Sequence, residues 1–194
     1  MKEFADKGFT GGSLDRIAAA AGVSKGALYR YFQDKEDFFT YLVDESTKSL
    51  GEYVEKWLSD LRGFPPGQPL FVEALKKYMR HGFQWGKDNP LMSRFVLRNS
   101  RCPDENCSHR LVQKIRASLR PIIEELFKAS IAAGEIKPDF NREAAAFLIH
   151  MTSAWIIQAS EQPDSVPFML SENPDIEKTI EDLANLMYKG IANC

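Results

Sequence analysis

The sequence lacks the features that would place it in a membrane or in a disulfide-bonded secreted scaffold. Nowhere in its 194 residues is there an unbroken apolar run of the roughly 18 residues that a membrane-spanning helix needs. The start of the chain also lacks the apolar segment of a signal peptide. Cysteine is scarce, and the odd number present does not suit a disulfide framework: Cys102, Cys107 and Cys194. We therefore expect a cytoplasmic protein that does not associate with a membrane.

A net positive charge is also absent. The 25 Lys and Arg residues are outnumbered by 27 Asp and Glu residues, which gives a formal net charge of −2. Binding to a nucleic acid would therefore depend on a local surface rather than on the charge of the whole protein. Hydrophobic residues make up 44% of the chain, which is enough for a buried core and excludes a disordered or fibrous protein.

The common catalytic and metal-binding motifs are missing as well. The sequence has no nucleophile elbow, no zinc-protease helix, no phosphate-binding loop and no dinucleotide fingerprint. We therefore expect a protein that is not an enzyme and binds no cofactor. Cys102, Cys107 and His109 lie close together, but they match no zinc spacing and lack a fourth ligand, so we expect no metal site.

What the sequence does contain is a series of helix-length segments in which apolar residues recur three and four positions apart. No segment shows the alternation of a strand, so the predicted fold is all-α. A long helix is predicted from Asp34 to about Leu61, and a Pro/Gly-rich stretch follows it. The later predicted helices are Leu70–Asn89, Leu91–Asn99, Ser108–Ala133, Arg142–Ser160 and Asp175–Ala192. We divide the chain into a first domain, residues 1–47, and a larger second domain, residues 48–194.

Residues 13–32 predict two short helices joined by a tight turn. Ser13 is positioned to cap the first helix with its hydroxyl, and Ser24 to cap the second, Lys25–Tyr31. Gly22 supplies the left-handed residue that the turn between them requires. This helix-turn-helix arrangement is typical of proteins that place a second, short helix in the major groove of DNA.

The second helix of this motif has an outer face suited to DNA. Leu28 and Phe32 are expected to face inward, since they lie one turn apart and are apolar. The opposite face carries Lys25, Gly26, Ala27, Tyr29, Arg30 and Tyr31. Ammonium and phenol groups bind phosphate oxygens, whereas Ala27 can touch only a thymine methyl group. Lys35, at the start of the next helix, adds a positive charge beside backbone amides that also favour phosphate.

The charge balance of the first domain leaves an alternative open. Residues 1–47 hold six Lys and Arg against eight Asp and Glu, and a charged helix face is usually only solvated. A helical protein-interaction module without a DNA role would fit the same pattern. The cations of the motif, however, gather at Lys25, Arg30 and Lys35, while most of the acids lie further along the chain, which favours DNA binding.

Four segments of the first domain together resemble the DNA-binding domain of TetR-family transcriptional regulators. They are Phe4–Phe9, Ser13–Ala18, Ala21–Phe32 and Asp34–Phe38. The resemblance implies an all-α homodimer, in which three small DNA-binding helices are followed by a larger helical domain for ligand binding and dimerisation. It also implies a repressor that a small-molecule effector releases from its double-stranded operator DNA.

Carried over position by position, the resemblance assigns DNA contacts within the first domain. The implied phosphate contacts are Lys25, Tyr29, Tyr31 and Lys35, the residues near the bases are Gly26, Ala27 and Arg30, and Ser13 and Ser24 complete the set. The family often has threonine at the positions of Gly12 and Ala27, so one hydrogen bond to DNA is expected to be missing. The family's first helix also usually begins earlier than Met1 allows, so this chain is expected to bind DNA more weakly than a longer form.

The second domain contains two helices suited to pairing with another subunit. Arg142–Ser160 is apolar almost all round, which predicts burial on every side, one of them against a second subunit. The last helix carries an apolar stripe, and pairing both helices with their copies would form a four-helix interface. The predicted interface residues are Leu148, Thr152, Ile156, Ile176, Ile180, Leu183 and Met187. Alternatively, both helices close the core of a single chain.

For a ligand pocket, the sequence offers large or pliable side chains: Tyr78, Trp85, Met92, Phe95, Phe147, Met151 and Trp155. Aromatic residues at helical spacing are equally typical of an ordinary core. The stretch 94–120 is rich in Lys and Arg, which indicates solvated surface, or else a contact with an anionic effector or an acidic partner. None of these patterns identifies the effector.

Overall fold

The computed structural model describes residues 1–62, 70–100, 105–161 and 175–192. The helices in these ranges are α1 Lys2–Gly11, α2 Leu14–Ala20, α3 Lys25–Leu28, α4 Lys35–Arg62, α5 Leu70–Asp88, α6 Pro90–Asn99, α7 Glu105–Ala132, α8 Arg142–Glu161 and α9 Ile176–Ile191. The predicted all-α fold is confirmed, because about 84% of the described residues are helical and the described ranges contain no strand. None of the helices described is long and apolar enough to cross a membrane.

Side-chain caps fix where α3 and α4 begin. The Ser24 hydroxyl accepts a hydrogen bond from the amide of Ala27 at 3.1 Å. The Asp34 carboxylate accepts one from the amide of Asp37 at 2.8 Å, and the Asp37 carboxylate accepts one from the amide of Gln33 at 2.9 Å. The amides of Ala27 and Asp37 belong to first turns, which leave such amides without a partner inside the helix. Both helices therefore start where the sequence predicts.

One helix is shorter than predicted and another is bent. The helix predicted over Lys25–Tyr31 ends at Leu28, because the amides of Arg30 and Tyr31 bond to carbonyls three residues back and so tighten the turn. Helix α1 is bent at Gly8, whose φ of 69° and ψ of 177° are accessible mainly to glycine. The chain then makes one further helical turn and ends α1 at Gly11.

The chain forms two compact units, and their composition does not follow chain order. Unit 1 contains residues 1–50 and 89–117, and unit 2 contains the described parts of residues 51–88 and 118–194. Helices α4 and α7 each contribute their first part to unit 1 and the remainder to unit 2. The sequence-based division at residue 47 does not anticipate that residues 89–117 join the N-terminal helices.

Aromatic side chains form the core of unit 1. The rings of Phe4 and Phe9 on α1 lie 5.5 Å and 5.0 Å from the ring of Phe39 on α4, measured between centroids. The ring of Phe95 on α6 lies 5.2 Å from that of Phe39. Asn99 of α6 also donates a hydrogen bond to the carbonyl of Phe4 at 3.3 Å. Helix α6 is therefore part of the same core as α1 and α4.

Ion pairs join α7 to α4 within unit 1. Arg110 pairs with Glu36 and donates a hydrogen bond to the Thr40 hydroxyl at 3.2 Å. One turn further along α7, Lys114 pairs with Asp44. Part of the basic stretch noted in the sequence is therefore engaged with acidic residues of α4.

Unit 2 has a larger apolar core, formed by α5, α8 and α9 together with the later parts of α4 and α7. Its buried residues include Trp57, Phe71, Met79, Phe127, Ile149, Ile156 and Ile180. The Glu135 carboxylate accepts hydrogen bonds from the amides of Leu70 and Phe71, both at 2.9 Å. It therefore caps the N-terminus of α5 from a distant part of the chain.

Candidate nucleic-acid interface

A turn of four residues joins α2 to α3. Within it, Gly22 has a φ of 68°, the left-handed conformation that the sequence predicts. The amide of Val23 donates a hydrogen bond to the carbonyl of Ala18 at 3.0 Å, which closes the turn. The Ser13 hydroxyl accepts a bond from the amide of Arg16 at the start of α2. The predicted helix-turn-helix geometry is therefore present.

Most of the predicted DNA-contacting residues lie on the exposed side of this motif. Tyr31 is 82% exposed and Tyr29 is 43% exposed. Ser24, Lys25, Gly26 and Arg30 are also exposed, whereas Ser13, Ala27 and Lys35 are half-buried. Two phenols and two cations are thus accessible from solvent on and beside the short helix.

Lys25 has a partner that the sequence analysis missed. Its ammonium nitrogen lies 2.9 Å from one carboxylate oxygen of Asp15 and 3.0 Å from the other. This hydrogen bond raises the pKa of Lys25 above its usual value. The same nitrogen lies 5.7 Å from the centre of the Tyr29 ring. Asp15 and Lys25 are 10 positions apart, and the turn between α2 and α3 brings them together.

The other cations of the motif have different surroundings. The Lys35 ammonium lies 4.5 Å above the centre of the Phe9 ring, a cation–π contact that links α4 to α1. Arg16 of α2 pairs with Glu3 of α1 at 2.5 Å. Arg30 is exposed, and no described residue forms an ion pair with it. Arg30 is therefore the cation of this surface that is most available to an added ligand.

Comparison with known proteins agrees with this geometry. Residues 1–42 match the family described as bacterial regulatory proteins, tetR family. The chain is 25% identical to the HTH-type transcriptional regulator RutR of Escherichia coli strain K12, over 98% of this chain and 86% of RutR. This chain is therefore similar to TetR-family transcriptional regulators, and the match to the family itself covers residues 1–42. The helix-turn-helix of this regulator is accordingly a DNA-binding motif.

Two other relatives match the regulator well beyond the helix-turn-helix. The fatty acid metabolism regulator protein of Bacillus subtilis is 26% identical over 78% of this chain and 74% of its own. The crystal structure of FadR from Bacillus subtilis in complex with stearoyl-CoA covers 97% of this chain and 94% of its own, with a TM-score of 0.69. Because the FadR identity is 20%, this likeness establishes the fold alone.

The residues predicted to line a pocket of the regulator occur in both units. Met92 and Phe95 belong to unit 1, where the fully buried Phe95 packs against Phe39. Phe147 and Met151 lie on the surface and are 63% and 46% exposed. The remaining predicted residues are buried or half-buried in unit 2: Tyr78, Trp85 and Trp155. The common pocket therefore stays a prediction, since helical spacing alone does not distinguish pocket residues from core residues.

Two of the residues predicted for the dimer interface are fully buried within the chain, and the interface itself stays a prediction. Ile156 of α8 and Ile180 of α9 are fully buried in the core of unit 2. The rest of the predicted α9 stripe packs against this core: Ile176, Leu183 and Met187. A regular apolar stripe is what an amphipathic helix needs to cover the core of its own chain. Thr152 donates its hydroxyl to the carbonyl of Leu148 at 2.7 Å, within its own helix.

Large apolar side chains are exposed on both α8 and α9. Phe147, Leu148 and Met151 share one side of α8 and are 63%, 49% and 46% exposed. On α9, Leu186 is 66% exposed. Of these four, the sequence analysis assigned only Leu148 to an interface. Helix α8 is therefore not buried on every side within the chain, and these four residues form what we call the apolar patch.

Two cysteines considered as metal ligands, Cys102 and Cys107, lie outside the parts of the chain whose side chains are described, as does Cys194. His109 is exposed. Among the described residues, no group of three His, Cys, Asp or Glu side chains is placed to hold a metal ion.

Proposed function

We propose that this regulator is a homodimeric repressor, which binds operator DNA through α2 and α3 and is released by a small molecule. The observation that carries the proposal is the exposed face on and beside α3, where Lys25, Tyr29, Arg30 and Tyr31 lie together. Ammonium, guanidinium and phenol groups are the donors that commonly bind DNA phosphates. Operator binding also makes the cytoplasm the proposed location, and no catalytic role is proposed because the relatives are named as regulators.

The proposed contacts divide into phosphate contacts and base contacts. Lys25, Tyr29, Tyr31 and Lys35 would bind phosphates, with Ser13 and Ser24 nearby. Both serine oxygens accept bonds from their own helices, so each hydroxyl hydrogen is available to a phosphate.

Arg30 would read a base, because its guanidinium can donate two hydrogen bonds to guanine. A β-carbon on Gly26 would meet nothing within 4 Å, so a base edge could approach closely there, next to Ala27. The proposed base contacts therefore lie between Lys25 and Tyr31 along the chain, two of the proposed phosphate contacts.

The test uses a duplex selected from a random library by binding to the wild-type protein. We expect the double variant Lys25→Ala/Tyr29→Phe to lose at least about tenfold in affinity for this duplex, with a shallower dependence on salt, because phosphate contacts are lost. The matched control is Lys128→Ala/Tyr188→Phe, which removes the same groups from unit 2. Unchanged affinity of the first variant would contradict the proposed face. Failure to select any duplex would favour the alternative, a protein-interaction module.

A second copy of this chain is the proposed occupant of the apolar patch. Helix-turn-helix proteins commonly bind two half-sites through a symmetric dimer, so one copy of α3 would use only half of an operator. Four large apolar side chains exposed on α8 and α9 provide a surface whose burial would stabilise such a dimer. The apolar patch lies on α8 and α9, the two helices that the sequence analysis assigned to dimerisation. Its position therefore supports a second copy of the chain as the partner.

The proposed effector binds the second domain, residues 48–194. Two relatives are named for fatty acid metabolism or contain stearoyl-CoA, so stearoyl-CoA is the first compound to test. It would be added to the complex of the regulator with its selected duplex, and coenzyme A alone would be the control. Release by stearoyl-CoA only would support a fatty acyl effector. Release by neither would contradict that effector class and leave DNA binding unaffected.

A further inference from the structure

The contact between Asp15 and Lys25 sets a negative charge against one of the proposed phosphate-binding groups. Asp15 lies in the first turn of α2 and Lys25 in the first turn of α3, and the ammonium nitrogen lies within 3.0 Å of both carboxylate oxygens. A carboxylate and a phosphate compete for the same ammonium group, because each carries negative oxygen atoms that accept its hydrogen bonds. In the free protein, Asp15 therefore occupies the group that DNA would use.

We propose that Asp15 restrains sequence-independent DNA binding by holding the Lys25 ammonium until a close-fitting duplex draws it away. This inference rests on the proposed DNA-binding face and adds to it a residue that the resemblance does not assign. Asp15 is a positioning residue here, since it acts through Lys25.

The exposure of the pair makes such an exchange feasible. Both side chains are 60% exposed, so the pair is weak enough to open and each group can reach solvent or DNA. The Tyr29 ring lies 5.7 Å from the ammonium, so an ammonium that leaves Asp15 stays close to a second proposed phosphate contact. The raised pKa of Lys25 agrees with a charged ammonium engaged by the carboxylate.

Sequence-independent binding is the kind of binding that this restraint would affect most. Affinity for any duplex depends mainly on how many phosphates the protein neutralises. The Asp15–Lys25 pair has no net charge, so it contributes little to that count while it stays closed. When base contacts hold α3 close to the groove, they can offset the loss of the pair. The restraint would therefore widen the difference between a selected duplex and a random one.

The experiment measures binding of a random-sequence duplex over a range of salt concentrations for the wild type and Asp15→Asn. We expect Asp15→Asn to bind several-fold more tightly at low salt and its log–log salt dependence to steepen by about 0.9 for each subunit bound. Affinity for the selected duplex should change less. Asp15→Glu, which keeps the charge and can still reach Lys25, should behave like the wild type.

Two controls separate this role from a general change of charge or fold. Asp6→Asn makes the same charge change in unit 1, where Asp6 pairs with Arg94 at 3.9 Å, and it should leave the salt dependence unchanged. Repeating Asp15→Asn in a Lys25→Ala background should give a smaller gain in affinity than in the wild type. Thermal melting of each variant verifies that the fold is kept.

Several results would overturn the inference while leaving the proposed function intact. One is a wild type that binds duplex with a steep salt dependence while Asp15→Asn behaves like Asp6→Asn. Another is an equal gain from Asp15→Asn with and without Lys25, which would mean that Asp15 acts through its charge alone. A wild type that binds neither the random nor the selected duplex would contradict the proposed function itself.

Discussion

The ring of Phe4 lies against the backbone of Gly12. A β-carbon placed on Gly12 would be 2.2 Å from Cδ1 and 2.3 Å from Cε1 of Phe4, closer than any real contact. Phe4 is fully buried and packs against Phe9 and Phe39, so its ring has little freedom to move aside. This contact leaves no room for a β-carbon at position 12, so the packing requires glycine there.

Replacing Gly12 is therefore expected to destabilise unit 1. Gly12→Thr should lower the free energy of unfolding by about 1–3 kcal/mol, because the side chain would overpack the core around Phe4. The control is Gly51→Ala in the middle of α4, where a β-carbon meets nothing within 4 Å. This change should stabilise the protein by roughly 0.5–1 kcal/mol, since glycine weakens a helix interior. Urea unfolding measures both, and equal effects of the two changes would contradict the packing argument.

The cap on α5 makes Glu135 important for the stability of unit 2. Glu135→Ala should lower the free energy of unfolding by about 1–3 kcal/mol, because the amides of Leu70 and Phe71 lose their acceptors. Exchange of these two amide hydrogens with solvent should also become faster. The matched control is Glu125→Ala on α7, whose side chain is 75% exposed and which should have little effect. Unchanged exchange at Leu70 and Phe71 would show that the cap is dispensable.

Tyr78 gives unit 2 a dependence on alkaline pH. Burial raises the pKa of its hydroxyl from 10.0 to about 12, and a hydrogen bond with Ser153 offsets part of the rise. Between these values the unfolded chain has released the proton while the folded chain retains it, so stability falls as pH increases through this window. The slope should be about 1.4 kcal/mol per pH unit.

Tyr78→Phe removes this titration. The variant should be less stable than the wild type at neutral pH, by roughly 0.5–1.5 kcal/mol for the lost hydrogen bond. Its stability should then fall less steeply above pH 10, the ordinary pKa of a tyrosine hydroxyl. Urea unfolding at a series of pH values measures both effects, and identical slopes for the two proteins would rule out Tyr78 as the titrating group.

The apolar patch predicts the oligomeric state. Phe147→Glu and Leu186→Glu should each shift the protein from dimer towards monomer, because a carboxylate would be buried without a partner at the proposed interface. Lys128→Glu changes charge at an exposed position of α7 outside the patch and should leave the dimer intact. Sedimentation velocity measures the mass of each. A wild type that sediments as a monomer would contradict the proposed interface. Patch variants that remain dimers would also contradict it.

The fold of the protein was largely predictable from local sequence signals. Apolar spacing located the described helices beyond residue 70 to within a few residues, and serine and aspartate caps located the starts of α2, α3 and α4. These signals operate between residues a few positions apart, so they can be read without knowing the tertiary structure. Gly22 is a similar case, since the turn that it enables is local.

Contacts between distant segments were not predictable in this way. The stripe on α9 was assigned to an interface, yet Ile180 and its neighbours cover the core of their own chain. An apolar stripe indicates that a helix is covered but does not indicate which chain covers it. The pairing of Asp15 with Lys25 was missed for a related reason, because their approach depends on the angle between α2 and α3.

The packing of α6 and the start of α7 within unit 1 limits where the chain can be truncated. A fragment that stops after residue 47 would omit Phe95, Asn99 and the cations that pair with Glu36 and Asp44. Phe39, which is 1% exposed in the full chain, would then lose an aromatic neighbour and face water. An autonomous version of the N-terminal module would need residues 89–117 spliced back, or an equivalent apolar cover designed in their place.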